Sequence, residues 1–326
     1  MQERNTTIDF LRGFSVIIII LIHVNAYFVS IPIANWLANY AQFAVQIFVF
    51  CSAFIFFERK RDDRFTFSYF IKRIKRLLIP YYIFLFFYFL FLIFIKQSPI
   101  SVDGLLKWIF LIGDRDLHWL VVLFLYFLVL MPFISFIKND KLLFWLFFIL
   151  STASSIVLLF IQFPVPFRWI MWLPWSLVLF FTYFYTISKH KKLFLSISTI
   201  ITGIIFVVSK YLLIAGEHTL SFKGNKYPPN IFYLSYGLLC ISIFILIYEQ
   251  FNLKKYATHV LFNFASKFSY EIFFIHFLYL FIFVELTNYK QFTWWGLFLI
   301  ITVLSLGTMF IWSKKNYFFS ILKKAN

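Results

Sequence analysis

The sequence predicts an all-α polytopic membrane protein with about ten transmembrane helices and both termini in the cytoplasm. Three observations carry this. The chain is 62% hydrophobic and 13% charged, with 51 Phe among 326 residues, more apolar surface than a soluble domain can hide. Apolar runs of about 20 residues recur from end to end, each long enough to cross ~30 Å of hydrocarbon as a helix. Their continuity excludes the alternating strands of a membrane barrel. Finally, the 30 Lys and Arg, apart from Arg12 inside the first run, cluster in alternate gaps between the runs. Twenty-one lie on one side: Arg4, the eight from Arg59 to Arg76, Lys138, Lys141, Lys189, Lys191, Lys192, Lys254, Lys255, Lys267 and four from Lys314 onward. Eight lie on the other: Lys96, Lys107, Arg115, Arg168, Lys210, Lys223, Lys226 and Lys290. The positive-inside rule puts the richer side, and both termini, in the cytoplasm.

The first span, 8–29, carries Asp9 and Arg12, lacks a small-residue cleavage site and is followed by further spans, so it does not read as a cleaved signal peptide. The second, 35–57, ends at the charged gap before Arg73 and Arg76, and the third, 77–96, opens on Pro80 and Tyr81. Further spans are expected at 117–137, 142–161, 169–187, 193–214, 231–249, 268–287 and 293–312. Leu105–Ile112 is too short to span, and Ala257–Lys267 reads as an interfacial helix leading into the ninth span. The longest outer loops, 98–116 and 215–230, leave no room for a soluble domain. Residues 1–326 therefore read as one integral-membrane domain with its core at 8–312 and a short basic cytoplasmic tail at 313–326. The net charge of +17 follows from topology, and no basic-aromatic module points to nucleic acid. Cys51 and Cys240 lie within spans without paired spacing, as free thiols do. There is no metal-ligand spacing and no G-x-S-x-G. High Phe, Ile and Lys usage fits an AT-rich bacterial genome.

The polar residues inside the spans carry the functional signal. Arg12 and His23 are eleven residues apart, almost three helical turns, and share a face about 16 Å apart along the axis. Ionisable residues in a membrane helix are costly and mark functional sites. Asp9, three before Arg12, can pair with it or snorkel beside it. Arg73 and Arg76 share a face and suit phosphate oxygens, or serve as positive-inside anchors. His118 and Trp119 open the fourth span after Asp114, Arg115 and Asp116, an outer-surface cluster. Trp119 fits a belt anchor, and His118 fits either structural hydrogen bonding or acceptor binding. Ser269 and His276 share a face of the ninth span, and a second intramembrane histidine argues for a polar cavity between helices. These residues form an expected ladder: Arg73 and Arg76 at the inner mouth, then Arg12 and Asp9, then Ser269 and His276, then His23, with His118 and Trp119 outside.

These landmarks resemble those of membrane acyltransferase family 3. The resemblance rests on R-x10-H within Asp9-x-Leu11-Arg12-Gly13, on Phe48 to Phe54, on the R-x-x-R pair with Pro80 and Tyr81, on His118-Trp119-Leu120, and on Ser269 to His276. They occur in the family's order across residues 9–276. Ala53 stands where the family usually has Gly.

The resemblance implies O-acyl transfer, commonly of acetyl, from cytoplasmic acyl-CoA to a hydroxyl of a cell-surface or exported carbohydrate or glycolipid. It implies a multi-pass protein of the bacterial cell (inner) membrane. Acyl-CoA would be a substrate, with no permanently bound cofactor. Some family members carry a fused extracellular esterase-like domain; this chain has no room for one, which favours direct transfer or a separate extracytoplasmic partner. His23 and Arg12 are the catalytic candidates: His23 as general base or covalent relay, Arg12 as an orienting group, a CoA contact or a stabiliser of negative charge. Asp9, Arg73, Arg76, His118, Trp119, Ser269 and His276 are the substrate-binding candidates. The competing class is a polysaccharide exporter or transporter without acyltransferase chemistry.

Overall fold

The computed structural model describes residues 5–58, 66–98, 101–112, 117–161, 165–253 and 258–325. Regular structure among them is helical: α1 (Thr6–Asn25), α2 (Pro32–Tyr40), α3 (Phe43–Glu58), α4 (Phe67–Phe94), α5 (Val102–Ile109), α6 (His118–Ile137), α7 (Lys141–Val157), α8 (Phe167–Ile170), α9 (Trp172–Ile187), α10 (Lys191–Ala215), α11 (Ile231–Gln250), α12 (Thr258–Lys267), α13 (Ser269–Leu286) and α14 (Trp294–Ala325). Nine spans among the described residues are long and apolar enough to cross a membrane, and α7 is a shorter apolar helix. In chain order these correspond to the ten expected spans. The protein is an all-α polytopic membrane protein.

The boundaries have local causes. Asn5 caps α1, its side chain accepting from the Ile8 amide at 3.2 Å, and Thr66 caps α4 in the same way. Such caps satisfy amides that helix geometry leaves open. The Thr66 cap starts α4 ten residues before the expected third span, so Arg73 and Arg76 sit inside a continuous helix. The expected second span is two helices, because the chain leaves α-geometry between Tyr40 and Phe43. The last span's helix continues through the basic tail to Ala325.

α1 and α3 form the centre. α1 packs on α3, α12, α13 and α14, and α3 packs also on α9 and α11. α10 rests on α11 and exposes Ile197, Ile200, Ile204 and Val208, an apolar face suited to lipid. The segment expected to be an interfacial helix is α12, and it packs closely along α1. Gly13 makes that approach fit: a Cβ there would collide with the Phe262 backbone carbonyl. Phe262 also packs edge-on to Phe10 and Phe14. Contact with α1 fixes α12, which brings Lys267 and the start of α13 to the inner end of α1. Here "inner" is the end that the Lys and Arg count assigns to the cytoplasm.

Candidate active site

Two cavities flank α1, one reached by Arg12 and the other by His23. The inner cavity, about 110 Å³, is lined by Arg12, Ser52, Tyr69, Arg73, Arg76, Lys267, Tyr270 and Glu271 together with apolar residues of α3, α4 and α6. Four cationic side chains face one carboxylate. The Arg12 guanidinium lies 5.6 Å from the Phe48 ring centroid, and its buried Nε has no hydrogen-bond partner among the described residues. Arg76 is close enough to repel it. The buried Tyr270 hydroxyl is also unsatisfied among the described residues. The lining therefore carries an excess of positive charge over its single carboxylate, Glu271, and such charge suits anionic oxygen.

Asp9 is close enough to attract Arg12, but it also has a partner on another helix. Its carboxylate accepts from Ser266 Oγ on α12 at 3.1 Å, because α12 packs on the face that carries Asp9. Asp9 thus ties α1 to α12 as well as attracting Arg12, and it lines neither cavity.

The outer cavity, about 680 Å³, is lined by His23, Tyr27, Tyr88, Lys96, Trp108, Phe277 and Glu285, with further apolar residues of α4 and α13. His23 Nδ1 lies 3.1 Å from His276 Nε2, and His276 Nδ1 lies 3.1 Å from the Ile272 carbonyl oxygen. That chain fixes the protons. A carbonyl only accepts, so His276 Nδ1 carries the hydrogen. In neutral His276, Nε2 then accepts, and His23 Nδ1 must donate to it. His23 Nε2 is left with its lone pair on a ring that lines the cavity. Phe273 and Phe277 pack around the two rings.

The expected ladder is thus corrected at three rungs. His276 stands level with His23, in contact with it, because α13 runs directly beside α1. Ser269 is fully buried and lines neither cavity. His118 and Trp119 are buried rather than on the outer surface. The α5 segment covers His118, whose ring packs edge-on to Trp108 at 4.3 Å. Tyr81 and Tyr82 hold α5 there, their hydroxyls donating to the Trp108 and Ile109 carbonyls at 2.6 and 3.1 Å. Trp119 lies under the ammonium of Lys226, 4.6 Å away. Asp114, Arg115 and Asp116 lie outside the described residues. The structure brings Arg12, Arg73 and Arg76 together at one cavity and His23 and His276 together at the other.

The acyltransferase domain profile of acyltransferase family 3 matches residues 5–313. The chain belongs to acyltransferase family 3. Neither the comparison with curated proteins nor that with solved structures finds a match. The protein is a membrane acyltransferase. Family membership gives the reaction class.

Sequence reasoning missed several lining residues. Tyr270 and Glu271 sit inside the Ser269–His276 segment and were detectable there as the polar positions beside Ser269. Lys267 was counted only as a topology marker. Lys96, Glu285, Tyr88 and Trp108 carry no spacing signal, because they meet only through the packing of α4, α5 and α13. Lys226, expected in an outer loop, is 6% exposed and donates to Gln42 Oε1 at 3.0 Å. Arg168, also expected outside, is buried and donates to the Leu111 carbonyl at 2.9 Å.

Proposed function

We propose that this acyltransferase takes an acyl group, acetyl in the simplest case, from acyl-CoA held at the inner cavity. It passes the group to a hydroxyl of a carbohydrate or glycolipid held at the outer cavity. The observation that carries the reading is the single face of α1. At one end it presents a guanidinium whose buried Nε has no hydrogen-bond partner among the described residues, beside Arg73, Arg76 and Lys267. About 16 Å further along the helix it presents a histidine whose free ring nitrogen is set by His276.

The phosphates of CoA match the inner cavity's charge, with Arg73 and Arg76 at its entrance and Arg12 at its depth. The pantetheine arm is an extended chain of length comparable to the Arg12–His23 separation, so phosphates at one cavity place the thioester near the other. Val16, Ile19 and Ile20 fill α1 between the two stations, and all three are buried. Phe274 packs there between Tyr270 and Phe84. This apolar layer excludes water from the thioester and favours transfer over hydrolysis. It also supports the acyltransferase over an exporter, which needs a polar path for its whole cargo.

The acceptor oxygen attacks the thioester carbonyl carbon while His23 Nε2 takes the hydroxyl proton. The imidazolium is held by the hydrogen bond from Nδ1 to His276. Collapse of the tetrahedral intermediate breaks the C–S bond, and His23 returns the proton to the departing thiolate. Ester and CoA are the products. The proposed setting is a bacterial inner membrane, and the charge count supports an orientation with the inner cavity towards the cytoplasm.

The test is purified protein in proteoliposomes with acetyl-CoA and surface glycan from the producing cell. Acyl-CoA consumption coupled to glycan ester formation is the expected result. Glycan movement across the bilayer without acyl-CoA consumption would refute the reading in favour of export.

A further inference from the structure

The outer cavity is longer than the chemistry at its floor requires. His23 and His276 mark the floor. Glu285 is nine residues beyond His276 on α13, roughly 13 Å further out at 1.5 Å per residue, and lines the same cavity. There its Oε2 meets Lys96 Nζ at 3.5 Å, both side chains being part-exposed at 37% and 45%. Between floor and rim lie Tyr88 and Trp108, ring centroids 4.9 Å apart, both lining the cavity. One sugar ring whose hydroxyl reaches His23 does not also reach the rim.

We propose that Lys96 and Glu285 form a second acceptor subsite, which binds an uncharged, vicinally hydroxylated ring one unit away from the ring that is acylated. This rests on the reading of His23 as the base that activates the acceptor. The chemistry matches a neutral polyol. Two neighbouring hydroxyls offer an acceptor to the ammonium and a donor to the carboxylate within the span of this ion pair. The aromatic wall takes the apolar C–H face of a ring, as concave sites with a few convergent polar groups do. The cavity volume of about 680 Å³ lies within the range of about 300–1,000 Å³ common for such sites. An anionic acceptor fits less well, because Glu285 cancels Lys96 at the rim. The protein is therefore selective for acceptors of at least two rings.

The experiment uses the full chain in nanodiscs, with mono- and disaccharides released from the producing cell's neutral surface glycan as probes. Binding is read by saturation-transfer NMR, and acyl transfer from acetyl-CoA is read in parallel. The wild type should bind and acylate the disaccharide about ten-fold better than the monosaccharide, the size of one charge-assisted hydrogen bond. Lys96→Ala and Glu285→Ala should each bring that ratio near one. The apolar pair, Lys96→Leu with Glu285→Leu, keeps a contact between α4 and α13 but removes both charged groups, and so separates recognition from strapping. If the apolar pair keeps the wild-type preference, the ion pair is only a strap and the subsite is refuted. Equal binding of mono- and disaccharide by the wild type, or tighter binding of an anionic fragment, refutes it too. Disaccharide-selective binding without acyl transfer would uphold the subsite and overturn the proposed function instead.

Discussion

The two cavities of this acyltransferase are built on opposite plans. The inner one is small and crowded with cations, with Arg12 beside Arg76. The outer one is about six times larger, 680 against 110 Å³, and its Lys96 and Glu285 are paired. Uncompensated charge suits a polyanionic ligand, and a neutralised rim on an aromatic wall suits an uncharged one. The same helix lines both, so the proposed function assigns charge recognition to one end of α1 and hydroxyl recognition to the other.

That division breaks or sharpens under substitution. The largest effect is expected at His23. His23→Ala should lower acyl transfer by about 10²–10⁴-fold, the range of a positioned general base, with acyl-CoA binding retained. Wild-type levels of glycan ester in this variant would remove the outer cavity from the chemistry.

His276 acts through His23, as a positioning residue. His276→Leu should cost about ten- to a hundred-fold in kcat with little change in KM for acyl-CoA, since His23 Nδ1 loses its acceptor. His276→Gln, whose amide oxygen can accept, should recover part of that. No difference between Leu and Gln would mean that His276 only fills space.

At the inner cavity the expected change is in donor use. Arg12→Ala should lower kcat/KM for acyl-CoA by about ten- to a hundred-fold, the worth of hydrogen bonds to a charged group. Arg73→Ala and Arg76→Ala should raise the donor KM by a smaller factor, and Arg76, being exposed, should show the weaker effect at high salt. Unchanged dependence on acyl-CoA concentration would leave the arginines as topology anchors. A shift in acceptor KM instead would merge the two cavities.

The smallest change is expected at Tyr270. Tyr270→Phe removes only a hydroxyl that lacks a partner among the described residues. It should raise the donor KM by about three- to ten-fold, as loss of one hydrogen bond does, without altering acceptor use.

The fold class was legible because in a bilayer each spanning segment must satisfy its own backbone, so length and apolarity suffice to find it. The Arg12–His23 face of α1 was legible for the same reason: both ends belong to one helix, and helical geometry fixes their relation. The R-x-x-R pair is likewise local to α4. What depends on two helices meeting was not legible. Asp9 turns to Ser266 because Gly13 lets α12 approach. His118 is buried because α5 folds over it. Periodicity within a segment carries no information about such meetings.

By itself, then, the sequence determined the spans, their orientation by charge, and which intramembrane residues are too costly to be accidental. The tertiary structure alone decided their partnerships. It set His276 against His23, which assigns a lone pair to one ring nitrogen. It left the buried Nε of Arg12 without a hydrogen-bond partner among the described residues. It joined Lys96 to Glu285 across the mouth of the outer cavity. Hydrogen bonds and ion pairs act over about 3 Å, and only the packing of whole helices brings residues hundreds of positions apart within that reach.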